Sequence, residues 1–185
     1  MTPVFVADIM RDLVSRVSAK LTAKLTAFDP MITGVHFDHG HPIEIIETLK
    51  QKDASGTNLV FDKYPLVALF HDFPEVYNSE PGFQGQVTLH LIIARLTLPT
   101  YKADQRYDLN FKPVLYPIYA EFMKQIVHSK YFTGAQSVNQ LSHTKIDRLY
   151  WGREGLYKNE GNIFNDWIDC IEIRDLQLKL NLNNC

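Results

Sequence analysis

The sequence predicts an α+β fold of two layers, in which a mostly antiparallel, twisted sheet is covered on one face by two main helices. Three observations carry that prediction. Two long stretches, Gln86–Leu98 and Asn165–Leu180, alternate apolar and polar residues with the period of a strand. Two others, Pro3–Thr26 and Pro113–Ser129, repeat apolar residues at helical spacing. Each helix must bury its apolar stripe against another layer, and one face of a shared sheet accommodates both. A length of 185 residues favours one domain.

The elements follow in chain order. Thr2-Pro3 supplies an N-cap and a first-turn proline, and Phe5, Ile9, Leu13, Val17, Leu21 and Leu25 then share one side. Asp8 and Asp12 lie early and Lys20 and Lys24 late, which complements the helix dipole, and Asp29-Pro30 ends the run. Met31–Phe37 alternates as a short strand, and Asp38–Pro42 (DHGHP) reads as a turn-rich break. Pro42–Lys52 predicts a short helix with Ile43, Ile46 and Leu49 inward. Asp53–Asn58 is a polar loop, Leu59–Asp62 a brief strand, and the apolar run Pro65–Phe70 a buried strand.

Phe73–Gln84 reads as a loop. Gln86–Leu98 is a long strand whose apolar parity shifts from Val87, Leu89, Leu91 and Ile93 to Leu96 and Leu98. Tyr101–Lys112 is a polar connection. The helix Pro113–Ser129 then presents Leu115, Ile118, Tyr119, Phe122, Ile126 and Val127, with Pro117 in its first turn. Ser142–Tyr150 is a strand and Gly152–Asp166 a polar loop. In the tail, Trp167, Ile171 and Ile173 share one face, whereas Leu176, Leu178 and Leu180 take the opposite parity. A bulge near Arg174-Asp175, inserting one extra residue, would return both sets to one side.

Composition narrows function. The net charge of −2 supplies no global basic field for nucleic acid. No apolar run approaches the roughly 20 residues of a membrane span, and the N-terminus lacks the pattern of a signal peptide. Cys170 and Cys185 form no metal spacing, and a reduced cytosolic origin with an inert Cys170 is the simplest reading. Nine Tyr and eleven Phe exceed the needs of a small core, and Tyr in excess serves interfaces.

Several clusters carry candidate chemistry. His36, His39 and His41, with Asp38, could bind zinc or a similar metal, but their spacing matches no standard site, and a solvated turn is the plainer reading. His71-Asp72 are adjacent, so on a strand they would point apart. Asp166, Asp169, Glu172 and Asp175 read as charges guarding an edge strand. Lys102, Arg106 and Lys112 interleave with Tyr101, Tyr107 and Phe111, a pattern that can hold single strands, although Asp104 and Asp108 dilute it. The sequence has no G-x-S-x-G elbow, phosphate loop, dinucleotide glycine fingerprint, H-E-x-x-H or paired C-x-x-C.

The order of KYPLVALF, QVTLHLIIARLTL, FKPVLYPIYAEFMKQIVHS, LYWG and NDWIDCIEIRDLQLKL, behind a long N-terminal helix, resembles bacteriophage tail-terminator and head-to-tail connector (neck) proteins. The resemblance spans most of the chain and rests on element order and strand character. It implies a virion structural protein, assembled in the host cytoplasm as a homo-oligomeric ring that joins head and tail. Such a subunit has no enzymatic activity and no cofactor. Its partners would be further copies and other neck, portal or tail-tube proteins. It would make no sequence-specific contact with nucleic acid, beyond passive lining of a DNA channel, and none with membrane. Tyr77, Phe83, Trp151, Tyr157 and Phe164 would be its interface anchors. Two other readings remain: a small metal-dependent enzyme using His36, His39 and His41, and a cytosolic peptide-binding module.

Overall fold

The computed structural model describes residues 5–54, 63–77, 85–149 and 166–181. Helix α1 (Val6–Phe28) buries Val6, Ile9, Met10, Leu13, Val14, Val17 and Leu25. Phe5, predicted as the first residue of the stripe, precedes the helix as its N-cap and is exposed, and the Asp29 main-chain N–H donates to the Leu25 carbonyl at the C-terminus. Strand β1 (His36–Gly40) starts later than the predicted Met31–Phe37, so Asp38–Gly40 is strand where a turn was expected. The main chain of His36 donates to Pro65 and that of His71 to Gly40, so pairing with the next strand fixes both of its ends. Helix α2 (Pro42–Ala54) turns Ile45, Ile46 and Leu49 inward and leaves Ile43 exposed.

Strand β2 (Leu66–Phe70) is buried throughout, and β3 (Glu75–Tyr77) is a short strand where a loop was predicted. The long strands are β4 (Gly85–Leu96) and β7 (Ile168–Leu180), with β5 (Phe132–Thr133) and β6 (Thr144–Arg148) between them in sequence. The predicted strand Leu59–Asp62 and the N-cap Thr2-Pro3 lie outside the described residues.

The sheet runs β1-β2-β4-β7-β5, with β3 also on β4 and β6 also on β7. The β1–β2 pair is parallel and the others are antiparallel. β4 and β7 are therefore the axis: β7 lies along one side of β4, while β2 and β3 share the other side.

The predicted bulge is present. Leu89 faces Leu176 and Leu91 faces Ile173, so His90 alone on β4 spans Arg174 and Asp175 on β7. Asp175 takes the left-handed conformation, with φ of 53°. Ile171, Ile173, Leu176, Leu178 and Leu180 consequently all enter the main core beside α1.

The polar connection predicted at Tyr101–Lys112 is helical instead. Helix α3 (Ala103–Arg106) runs into a π-helical stretch, Tyr107–Leu115, and then into α4 (Tyr116–His128). Arg106 and Asn110 are four residues apart and both buried, so the polarity that suggests a loop belongs to an inward-facing helical side. Pro113 is held within the wider π stretch, and Pro117 occupies the first turn of α4 as predicted.

Together these elements form an α+β fold with α1 and α4 over one sheet face. α2 adds a patch on the opposite face, where Ile45, Ile46 and Leu49 meet Leu66, Ala68, Phe70, Ile92, Ala94 and Cys170. Cover on both faces explains why β2 reads as an unbroken apolar run. Among the described residues, no helix is long and apolar enough to cross a membrane.

Candidate functional site

Of the eleven large apolar side chains exposed among the described residues, seven lie at the two ends of β4, and Phe5, Ile43, Tyr107 and Leu149 stand elsewhere. Where β4 ends, Phe28 closes α1, Met31 follows it, Leu96 and Leu98 leave the strand, and Leu109 stands on the π stretch; all five are exposed. These five residues line a groove of about 360 Å³, floored by Ile32, Tyr64, Pro65, Arg95, Thr97, Tyr101 and Asn110. At the start of β4, Val76 and Tyr77 of β3 are exposed in the same way. Val76 pairs with Gln86 and Tyr77 with Gly85, so both lie at the opposite end of the strand from the groove.

The groove is built rigidly. Arg95 donates to the Leu109 carbonyl at 2.7 Å and to Asp29 at 2.8 Å, and its guanidinium lies 5.5 Å from the Phe28 ring centroid. Burial pulls the Arg95 pKa down while Asp29 opposes the shift, and a guanidinium stays charged in any case. One residue thus ties the end of α1, the end of β4 and the π stretch together. Beneath lies a fully buried network: Arg106 donates to Asp169 at 2.7 Å and to the carbonyls of Tyr101 and Leu98, and Asn110 donates to Asp169 at 2.7 Å and to Thr97 at 2.9 Å.

The opposite face of the sheet, beyond α2, carries a second network. Buried Glu172 accepts from Arg148, from Arg174 at 2.7 Å, and meets His90 at 3.0 Å. Burial works against its charge, but Arg148 and Arg174 outweigh that and hold the carboxyl below its ordinary range. The register places His90, Arg148, Arg174 and Lys179 on this face.

These positions correct the reading of the tail's acidic residues. β7 lies inside the sheet between β4 and β5/β6, so Asp169 and Glu172 do not guard an edge. Both are buried ion-pair members on opposite faces. The proposed basic-aromatic strip also dissolves, because Arg106 and Phe111 are buried and Lys112 pairs with Asp108 at 2.8 Å.

Of the predicted anchors, Tyr77 is exposed on edge strand β3 and donates to Glu75, a bond that raises its phenol pKa. Phe83, Trp151, Tyr157 and Phe164 lie outside the described residues. The candidate metal ligands do not converge: His36 and His39 fall on opposite faces of β1, and His41 follows the strand. Among the described residues, no group of three or more His, Cys, Asp or Glu is arranged to hold a metal. His39 instead meets His71 at 2.8 Å and Arg11 at 3.0 Å.

The groove residues were not singled out from sequence. Their signal was the out-of-phase pair Leu96 and Leu98, which proves to be exposure at a strand end. In class, then, the molecule is an α+β protein with a curled mixed sheet and exposed apolar side chains at both ends of its central strand. The sequence matches no protein-family model and none of the curated proteins with which it was compared.

Proposed function

We propose that this chain is a structural assembly subunit: a ring-forming, tail-terminator-like or neck connector protein that joins the head and tail of a phage virion. The observation that carries the reading is the pair of exposed apolar clusters, Phe28, Met31, Leu96, Leu98 and Leu109 at one end of β4 and Val76 and Tyr77 at the other. A contiguous apolar patch on a protein surface marks a contact site. Two different patches at opposite ends of one rigid strand cannot cover each other within a protomer. They can cover each other between copies, the Val76–Tyr77 end of one entering the Phe28–Leu98 groove of the next. That contact is heterologous, and it closes into a ring when the rotation per subunit divides a full turn. The resemblance in element order supports the same assignment.

A ring that turned the open sheet face to its axis would present Arg148, Arg174 and Lys179 to DNA phosphates. Contact of that kind is independent of sequence and amounts to a passive lining.

Native mass spectrometry with negative-stain imaging tests the reading. The wild type is expected to form closed rings, while Leu98→Asp and Tyr77→Asp are each expected to be monomeric. Mixing the two variants restores one intact contact and yields a heterodimer, which an isologous interface would not do. A wild type that stays monomeric up to high concentration overturns the reading. If that monomer captures extended peptides in the groove, the peptide-binding alternative takes its place.

A further inference from the structure

We propose that Arg11, His39 and His71 form a proton-sensitive latch that fastens α1 to edge strand β1. This inference does not depend on the assembly reading. Arg11 Nη2 lies 3.0 Å from His39 Nε2, and His39 Nδ1 lies 2.8 Å from His71 Nε2. A guanidinium can only donate, so His39 Nε2 must accept and carry no proton. Neutral His39 then holds its proton on Nδ1 and donates to His71 Nε2, which is bare in turn. His71 is left with its proton on Nδ1. The relay runs in one direction, and it requires both rings to be neutral. One further proton on either ring turns an acceptor into a donor facing a donor and breaks a link.

The surroundings reinforce this. Phe37 and Phe73 pack against the two rings at 5.8 and 5.5 Å between centroids. Burial lowers the His39 pKa most, followed by His71 and Arg11, while Asp38 on β1 and Asp8 on α1 act the other way. Asp8 is itself bound by Arg11 at 2.6 Å, and Asp38 accepts from the main-chain N–H of His39 at 2.9 Å. Asp72 follows His71 in the chain. Because the folded pKa of His39 is lowered, its contribution to stability is complete above the ordinary value of 6.5 and declines as the pH falls from there through the folded value.

β1 pairs only with β2 among the described strands and forms one margin of the sheet. Opening the latch would loosen β1 against α1 at the margin of the main core, where Phe37 and Phe73 pack.

Imidazole nitrogen NMR on the full chain tests the proposal. At pH 8, both His39 and His71 are expected as the Nδ1–H tautomer. On acidification, His39 is expected to titrate with a midpoint below 6.5. That midpoint is expected to rise in Arg11→Met and in His71→Asn, and amide exchange in β1, corrected for intrinsic rates, to accelerate across the same pH range. An Nε2–H tautomer on either ring, a His39 midpoint at or above 6.5, or a midpoint unmoved in Arg11→Met overturns the latch.

Discussion

Asp169→Asn removes one charge from the most deeply buried ion pair described in the molecule. Asp169 and Arg106 have side-chain exposures of 0% and 1% and meet at 2.7 Å, with Asn110 on the second carboxylate oxygen. The substitution barely changes volume, so packing contributes little. Asn110 can turn its amide to suit the new side chain. Arg106 cannot adapt, because a guanidinium has no acceptor and no accessible neutral form. The variant therefore leaves a buried cation without its counter-ion, at a cost of about 3–5 kcal/mol. At about 2–4 °C per kcal/mol for a chain of this size, the midpoint of thermal unfolding should fall by roughly 6–20 °C. Urea unfolding followed by circular dichroism, with unchanged slope, would give the free energy directly. In the Arg106→Met background the same change should cost far less, giving a coupling of about 2 kcal/mol or more. A loss below about 1 kcal/mol for Asp169→Asn, or additive behaviour in the double variant, would refute the claim that this pair anchors α3 to the sheet.

Gly40 has φ of 147°, and a Cβ there would approach Glu44 Oε2 to 2.9 Å, the atom that accepts from the His41 main-chain N–H. Gly40→Ala should lower stability by about 1–3 kcal/mol in urea unfolding, and an effect within error would show that the backbone needs no glycine there. Cys170 is fully buried, and burial first, then Glu172, pushes its thiol pKa well up. Iodoacetamide should leave it unmodified in the folded protein and label it in denaturant, as read by peptide mapping; labelling of the native chain at the rate of a free thiol would contradict its placement.

Much of the fold was legible because local periodicity and tertiary burial agree in it. Apart from exposed Phe5, the stripes of α1 and α4 and the run Leu66–Phe70 point where their spacing says they should. The Arg174–Asp175 bulge was legible for a related reason: two apolar sets of opposite parity must reach one core, and only an inserted residue reconciles them. Failures came where polarity was mistaken for exposure. Arg106 and Asn110 made Tyr101–Lys112 look like a solvated connection, yet their partner Asp169 lies 63 and 59 residues away in sequence. β1 was displaced for the opposite reason, since Ile32 and Val35 are buried without being strand.

The two phase changes show how one pattern arises from two causes. In β7, apolar residues continue on both sides of the break and every one is buried, so the backbone had to change register. In β4 the second set is only Leu96 and Leu98, at and beyond the end of the strand, and both are exposed. No bulge follows them, because nothing inside the protein requires them to face the core. A terminal apolar pair out of phase with its own strand is therefore better read as surface than as distortion. Phe28, Met31 and Leu109 converge with that pair from three other segments to make the groove. The charged residues of β7 follow the converse rule. Asp169 and Glu172 sit among buried neighbours on a long strand flanked on both sides, so each needs a cation from another element, and Arg106 and Arg148 supply them from opposite faces.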